Sequence, residues 1–185
     1  LNSTVRRVTE YLDGYHITEA ARELAAFVDE LSNWYVRRGR ERYWGSEMTQ
    51  DKIDAYMTLY TVLETFIRLI APFTPFICET IYQNLVRSVD QNAPESVHLC
   101  GYPMADVSRI DEQLEENMER VLKIVTLGRA CRNTAGLKNR QPLSTMYVGG
   151  VEQLPEQYLE IIKGELNIKA VKLGAEMEQF ITYQI

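Results

Sequence analysis

The residues of this chain best suited to chemistry are cationic and aromatic, and they stand together. In NWYVRRGRERYWG, Asn33 to Gly45, the block Arg37, Arg38, Arg40 and Arg42 meets one carboxylate, Glu41. Residues 37–42 therefore carry +3 in a protein whose formal net charge is −6, and the rest carries −9. Trp and Tyr residues flank the block on both sides. A guanidinium fork matches phosphate oxygens two at a time, and its flat face stacks on bases. Aromatic rings offer π-faces to unstacked bases, worth about 1–3 kcal/mol each when so used. Single-stranded RNA loops, whose bases splay outward, suit this mixture. GLKNRQPL, Gly136 to Leu143, echoes the block with Lys138 and Arg140.

Catalytic chemistry has no comparable cluster. His16 and His98 are far apart, with no Cys or carboxylate at metal-ligand spacing. The triplet HLC, His98 to Cys100, alternates in the manner of a strand or extended loop. No Gly-rich phosphate loop, Gly-x-Ser-x-Gly elbow or His-Glu-x-x-His occurs. Acidic pairs such as Glu115-Glu116 read as a solvated helix face. The expectation is no catalytic residue, no metal and no cofactor site. Cys78, Cys100 and Cys131 are odd in number and lack a Cys-x-x-Cys pairing, which fits free thiols in a reducing cytoplasm. An isoelectric point near 5.1 argues against a general nucleic-acid coat and leaves a local RNA contact open. No apolar run approaches the ~18 residues that span a membrane, and no signal-peptide pattern opens the chain. The first residue is Leu1 rather than Met, which reads as a segment of something longer.

A second account of the arginines stays open. Trp34 and Tyr35 continue an apolar stripe and read as core. Arg37 and Arg38 fall near a helix C-terminus, where cations relieve the dipole by about 0.3–1 kcal/mol. Arg40 and Arg42 follow Gly39 in what reads as a loop, and have no such role. They contact an RNA or pair with the chain's own carboxylates. Full internal pairing would make the chain a helical protein-interaction or scaffolding module without RNA binding.

The elements that must carry these residues are helical through the first two thirds. Val5, Val8 and Leu12 mark a helix after Asn2/Ser3, stopped at Asp13-Gly14. Thr18 is the expected N-cap of a second helix with Ala20, Leu24, Phe27, Leu31 and Trp34 on one stripe. A third starts near Thr49 or Asp51, with Tyr56, Tyr60, Leu63, Ile67 and Ile70 on one face, and ends before Pro72. Thr74-Pro75 opens a fourth with Ile77, Ile81 and Leu85 inward. After a long connection, a fifth follows Asp111 with Leu114, Met118, Val121 and Val125 inward. Then STMYVGG reads as strand and turn, Pro155–Lys163 as a helix stopped by Gly164, and NIKAVKL and QFITYQI as strands. The expected fold is mainly α, a helical bundle over residues 1–134 followed by a small α+β appendage over 135–185.

LSNWYVRRGRERYWG closely resembles a signature of isoleucyl-tRNA synthetases. AYMTLYTVLETFIRLIAPFTPFICETIYQNL, SVHL at Ser96–Leu99, LGRACRNTAGLKNRQPL at Leu127–Leu143 and ELNIKAVKL at Glu165–Leu173 are similar to successive segments of that family. The likeness covers nearly the whole chain, with its motifs in order. It implies the anticodon-binding bundle of a class I aminoacyl-tRNA synthetase, gripping the anticodon stem and loop of isoleucine tRNA. The rest of the synthetase chain would charge that tRNA with isoleucine, using ATP and magnesium. By motif position, the resemblance assigns RNA contact to Arg37, Arg38, Arg40, Arg42 and Trp44, and also to Lys138 and Arg140. The family's HIGH and KMSKS signatures are missing, as are an editing domain and the cysteines of a zinc-binding tail, so no catalytic role carries over. A cytoplasmic monomer is implied.

Overall fold

The structure is a computed structural model that describes residues 1–174. It forms two compact units, dividing at Ile110/Asp111. The helix after Asp111 thus groups with the residues that follow it, whereas the sequence reading drew its boundary at 134/135.

The first unit holds α1 (Asn2–Asp13), α2 (Ile17–Glu30), α3 (Arg40–Trp44), α4 (Gln50–Ile70) and α5 (Pro75–Tyr82). Val5 and Val8 of α1 bury against Ala20 and Leu24 of α2 and Phe66 and Leu69 of α4. Phe27 stacks on Phe66 with ring centroids 5.0 Å apart. Arg7 ties α1 to the Glu23 carboxylate of α2. The α2 start differs from expectation: Thr18 is inside the helix and His16 stands at the N-cap without a side-chain bond. Tyr15 turns through a left-handed conformation, φ 61°, and the His16 N–H bonds to the Tyr11 carbonyl at 2.7 Å. That tight turn brings the chain into helix before Thr18 is reached.

Thr49 caps α4, its hydroxyl accepting from the Lys52 N–H at 3.3 Å. The helix stops at Ile70 ahead of Pro72 as expected, although Ala71 itself keeps helical angles, φ −51° and ψ −38°. The stop goes with Pro72, which lacks an N–H and does not fit a helix interior. Its buried stripe lies mainly in the C-terminal half, at Phe66, Ile67 and Leu69. Tyr56, expected to face inward, is 45% exposed because its half of α4 carries α3 instead of a second large helix. In α5 the most buried row sits one residue along from the expected one, and of the expected row Ile81 and Leu85 pack half-buried against the same cluster. Cys78, Tyr82 and Val86 are buried with Ile67, Ala71 and Val97, while Ile77 is 55% exposed. Both sets have helical spacing, and the Tyr82 hydroxyl, donating to the Pro94 carbonyl at 2.9 Å, accompanies the second choice. Thr74 stands at the N-cap with Pro75 opening the helix, as expected, but its hydroxyl caps no backbone N–H and lies 3.4 Å from the Cys78 Sγ instead. Glu79 anchors the long connection by accepting from Ser96 Oγ and the Val97 N–H at 2.8 and 3.0 Å. His98 lies in a 3-10 turn, Val97–Leu99, not in a strand.

The second unit is α6 (Glu112–Thr134), β1 (Leu143–Val148), α7 (Glu156–Leu166) and β2 (Ile168–Leu173). Asp111 caps α6, accepting from the Leu114 N–H at 2.9 Å. Val121 and Val125 are buried as expected, whereas Leu114, one turn from the helix start, is 49% exposed. The strands pair in parallel from Leu143↔Ile168 to Val148↔Leu173, with α7 as the crossover. Helix α7 continues past Gly164, its expected stop, and ends at Asn167 in the left-handed region at φ 51°. Continuing lets Leu166 bury beside Gly128 of α6, where an added Cβ would stand 2.5 Å from Leu166 Cδ1. The QFITYQI strand expectation lies outside the described residues.

Candidate nucleic-acid interface

The arginine block is built on an interrupted helix. After Glu30 the backbone widens into a π turn, Leu31–Val36, closed by the Arg37 N–H on the Ser32 carbonyl at 3.0 Å. Such insertions rotate everything that follows and often occur at functional sites. Trp34 and Tyr35 are half-buried, matching their reading as packing residues. The Arg37 Nε donates to the Asn33 carbonyl at 2.9 Å, and Arg37 and Arg38 are both exposed. Gly39 ends the turn where a Cβ would lie 3.1 Å from the Tyr43 ring.

Residues 40–44 form a one-turn helix, α3, rather than the expected loop. Five residues do not sustain a helix alone, and α4 supplies the support. Arg42 places Nε and Nη2 on the two Asp51 carboxylate oxygens at 2.9 and 2.7 Å. The Tyr43 ring meets the Tyr56 ring edge-on at 5.2 Å, and Tyr56 Oη donates to the Tyr43 carbonyl at 3.4 Å. Lys52 Nζ reaches the Gly45 carbonyl. Burial pushes the Tyr43 hydroxyl up to about 12, so it is neutral at physiological pH. On the outer side, the Arg40 guanidinium lies 3.7 Å over the Trp44 ring, and Trp44 is 70% exposed. Beside this pair opens a recess of about 530 Å³, lined by Asn33, Arg37, Arg40, Tyr43, Trp44 and Tyr56 among others. Among the described residues, no acidic side chain lines it. Cationic forks over aromatic faces on a concave surface are equipped to hold a phosphate and stack a base.

The Arg42–Asp51 clasp has a defined pH dependence. The Arg42 hydrogen bonds hold the Asp51 carboxyl below the usual carboxylate range. A carboxyl depressed in the fold contributes stability that is present above its unfolded value, about 3.9, and is lost as pH falls through the lower folded value. Trp44 emission is therefore expected to stay level from neutral pH to about 4 and to change below it. A transition centred above pH ~5 would assign the response to another group.

Lys138 and Arg140 belong to the second unit and are exposed on the loop between α6 and β1. Their backbone is pinned from beneath by a residue absent from the sequence reading. Arg132, 3% exposed, donates from Nη1 to the Lys138 carbonyl at 3.0 Å. Its Nη2 reaches the Gln141 and Leu166 carbonyls at 2.9 and 2.6 Å. Asn167 Nδ2 adds a bond to the Arg140 carbonyl at 2.9 Å. One signal was available: Arg132 falls in phase with Val121, Val125 and Gly128, a cation at a core position. Asp51, Tyr43 and Tyr56 were also missed as supports, and their spacing carries no mark of it.

Among the described residues, no three His, Cys, Asp or Glu side chains group as a metal site, and no helix is long and apolar enough to cross a membrane. Cys78 is buried, Cys100 half-buried and Cys131 exposed, all as free thiols.

The sequence of this helical chain has a match among known families. The family described as the anticodon-binding domain of tRNA ligase matches residues 1–148, and the chain belongs to that family. Along all of its length it is 55% identical to an isoleucine–tRNA ligase of Clostridium novyi (strain NT) and 52% identical to one of Clostridium tetani (strain Massachusetts / E88). An isoleucine–tRNA ligase 2 of Bacillus cereus is 44% identical over 188 aligned positions. The chain spans 18% of the length of each of these relatives.

Proposed function

We propose that this chain is the module of an isoleucine–tRNA ligase that recognises the anticodon stem and loop of isoleucine tRNA, without catalysing a reaction itself. The single observation that carries the reading is the recess beside α3, where Arg40 and Trp44 present a cation and an open aromatic face in an otherwise acidic protein. Its family and its likeness to isoleucine–tRNA ligases over the whole chain support the same reading. Arg37, Arg38 and Arg40 hold phosphates of the loop, and a splayed base stacks on Trp44. Lys138 and Arg140 form a second contact with the RNA backbone. The acidity of the remaining surface limits indiscriminate binding. ATP, magnesium and isoleucine are handled by other parts of a longer ligase, which works as a cytoplasmic monomer.

Titration of the chain with labelled isoleucine tRNA and an anticodon-exchanged version, at two salt concentrations, tests this. Preferential binding of the matching anticodon that weakens with salt is the expected result. Equal affinity for both would make the chain a backbone clamp, and absence of binding at low salt would overturn the reading.

A further inference from the structure

Taking the RNA reading as given, we infer that Arg42 is a positioning residue rather than a phosphate ligand, and that Asp51 is its partner in holding the Arg40–Trp44 platform. Family motif position had grouped Arg42 with the RNA contacts. The geometry separates it from them. Arg42 is directed to α4, spending Nε and Nη2 on both Asp51 carboxylate oxygens and reaching the Asp51 backbone carbonyl at 3.3 Å as well. Bidentate arginine–carboxylate pairing fixes orientation as well as distance. Arg40 and Trp44, by contrast, face the recess, which Arg42 does not line. The surroundings of Arg42 are a different depression, with Glu41, Glu47 and Asp51 on its walls. A phosphate would meet three carboxylates there, whereas none of the described residues lining the recess is acidic.

The platform needs a tether because α3 is a single turn. Its other attachments are the Tyr43–Tyr56 ring contact, the Tyr56 hydroxyl on the Tyr43 carbonyl and Lys52 on the Gly45 carbonyl. The clasp is the only ion pair joining α3 to α4 among the described residues. Without it, the turn loses its orientation relative to α4, and Trp44 no longer stands beside the recess in one fixed pose. Binding then weakens because the site must be reordered on contact, not because a charge that touched RNA is gone.

The decisive test exchanges the pair. The chain, Arg42→Ala and the double variant Arg42→Asp/Asp51→Arg are titrated with a hairpin of the isoleucine tRNA anticodon stem-loop over a range of salt. Trp44 emission is read without RNA, in a Trp34→Phe background. Arg42→Ala is expected to weaken binding about fivefold to tenfold with the salt slope unchanged, and to shift the emission of free Trp44. The exchanged pair is expected to restore both affinity and emission. A slope lowered by about 0.7, the loss of one phosphate contact on a single strand, with unchanged emission and no rescue by exchange, would overturn the inference. If the unsubstituted chain fails to bind, the RNA reading falls. The emission comparison, made without RNA, still decides whether Arg42 and Asp51 hold the platform.

Discussion

Replacing Trp44 by alanine is expected to weaken binding of isoleucine tRNA by roughly fivefold to 150-fold, the equivalent of about 1–3 kcal/mol for one lost base–aromatic stack. Trp44 is 70% exposed, so its ring contributes little to the core and the fold should tolerate its removal. In the free protein the Arg40 guanidinium covers one side of the ring at 3.7 Å. An aromatic this exposed, held by a cation on one face, has its other face available to a base. Trp44→Phe keeps a smaller π-face and should lose only part of the affinity. Fluorescence anisotropy with a labelled anticodon stem-loop gives the dissociation constant, and a melting curve shows that the fold is retained. An unchanged constant for Trp44→Ala would remove stacking from the account and leave phosphate contacts alone.

The second large effect concerns stability. Arg132→Met is expected to destabilise the second unit by about 3–5 kcal/mol. The guanidinium serves the carbonyls of Lys138, Gln141 and Leu166, and an acceptor left unpaired in a buried place costs about 1–3 kcal/mol. The Nε of Arg132 is buried without a partner, which keeps the loss below a simple sum over its bonds. Lysine should rescue only partly, since an ammonium is a point charge and does not reproduce a planar fork. Denaturant unfolding measures the difference, and a loss under about 1 kcal/mol would show that water replaces the guanidinium. Because the same bonds shape the loop bearing Lys138 and Arg140, the variant should also weaken RNA binding under conditions in which it remains folded.

How legible these features were depends on the distance over which each is specified. Helix α1, the end of α4 before Pro72, the Asp111 cap and both described strands follow from short-range chemistry: side-chain period, proline geometry and capping oxygens. Those signals lie within four residues of where they act, so sequence displays them. On α5 the most buried row lies one residue beyond the expected one, whose Ile81 and Leu85 still pack half-buried on the core, because apolar side chains occupy adjacent helical rows. Choosing between rows required knowing that Tyr82 would find the Pro94 carbonyl.

The sequence by itself determined that this is a mainly helical chain with a cationic, aromatic cluster suited to RNA, since residue type and helical spacing are local properties. Its motifs likewise sufficed to indicate the family to which it belongs. Only the tertiary structure decided what each arginine does. Arg40, Arg42 and Arg132 are alike in type, yet one lies over Trp44, one is clasped by Asp51 and one is buried beneath carbonyls from residues 138, 141 and 166. A guanidinium carries the same charge and donors in all three places, and its role is set by the acceptor or ring that folding brings against it.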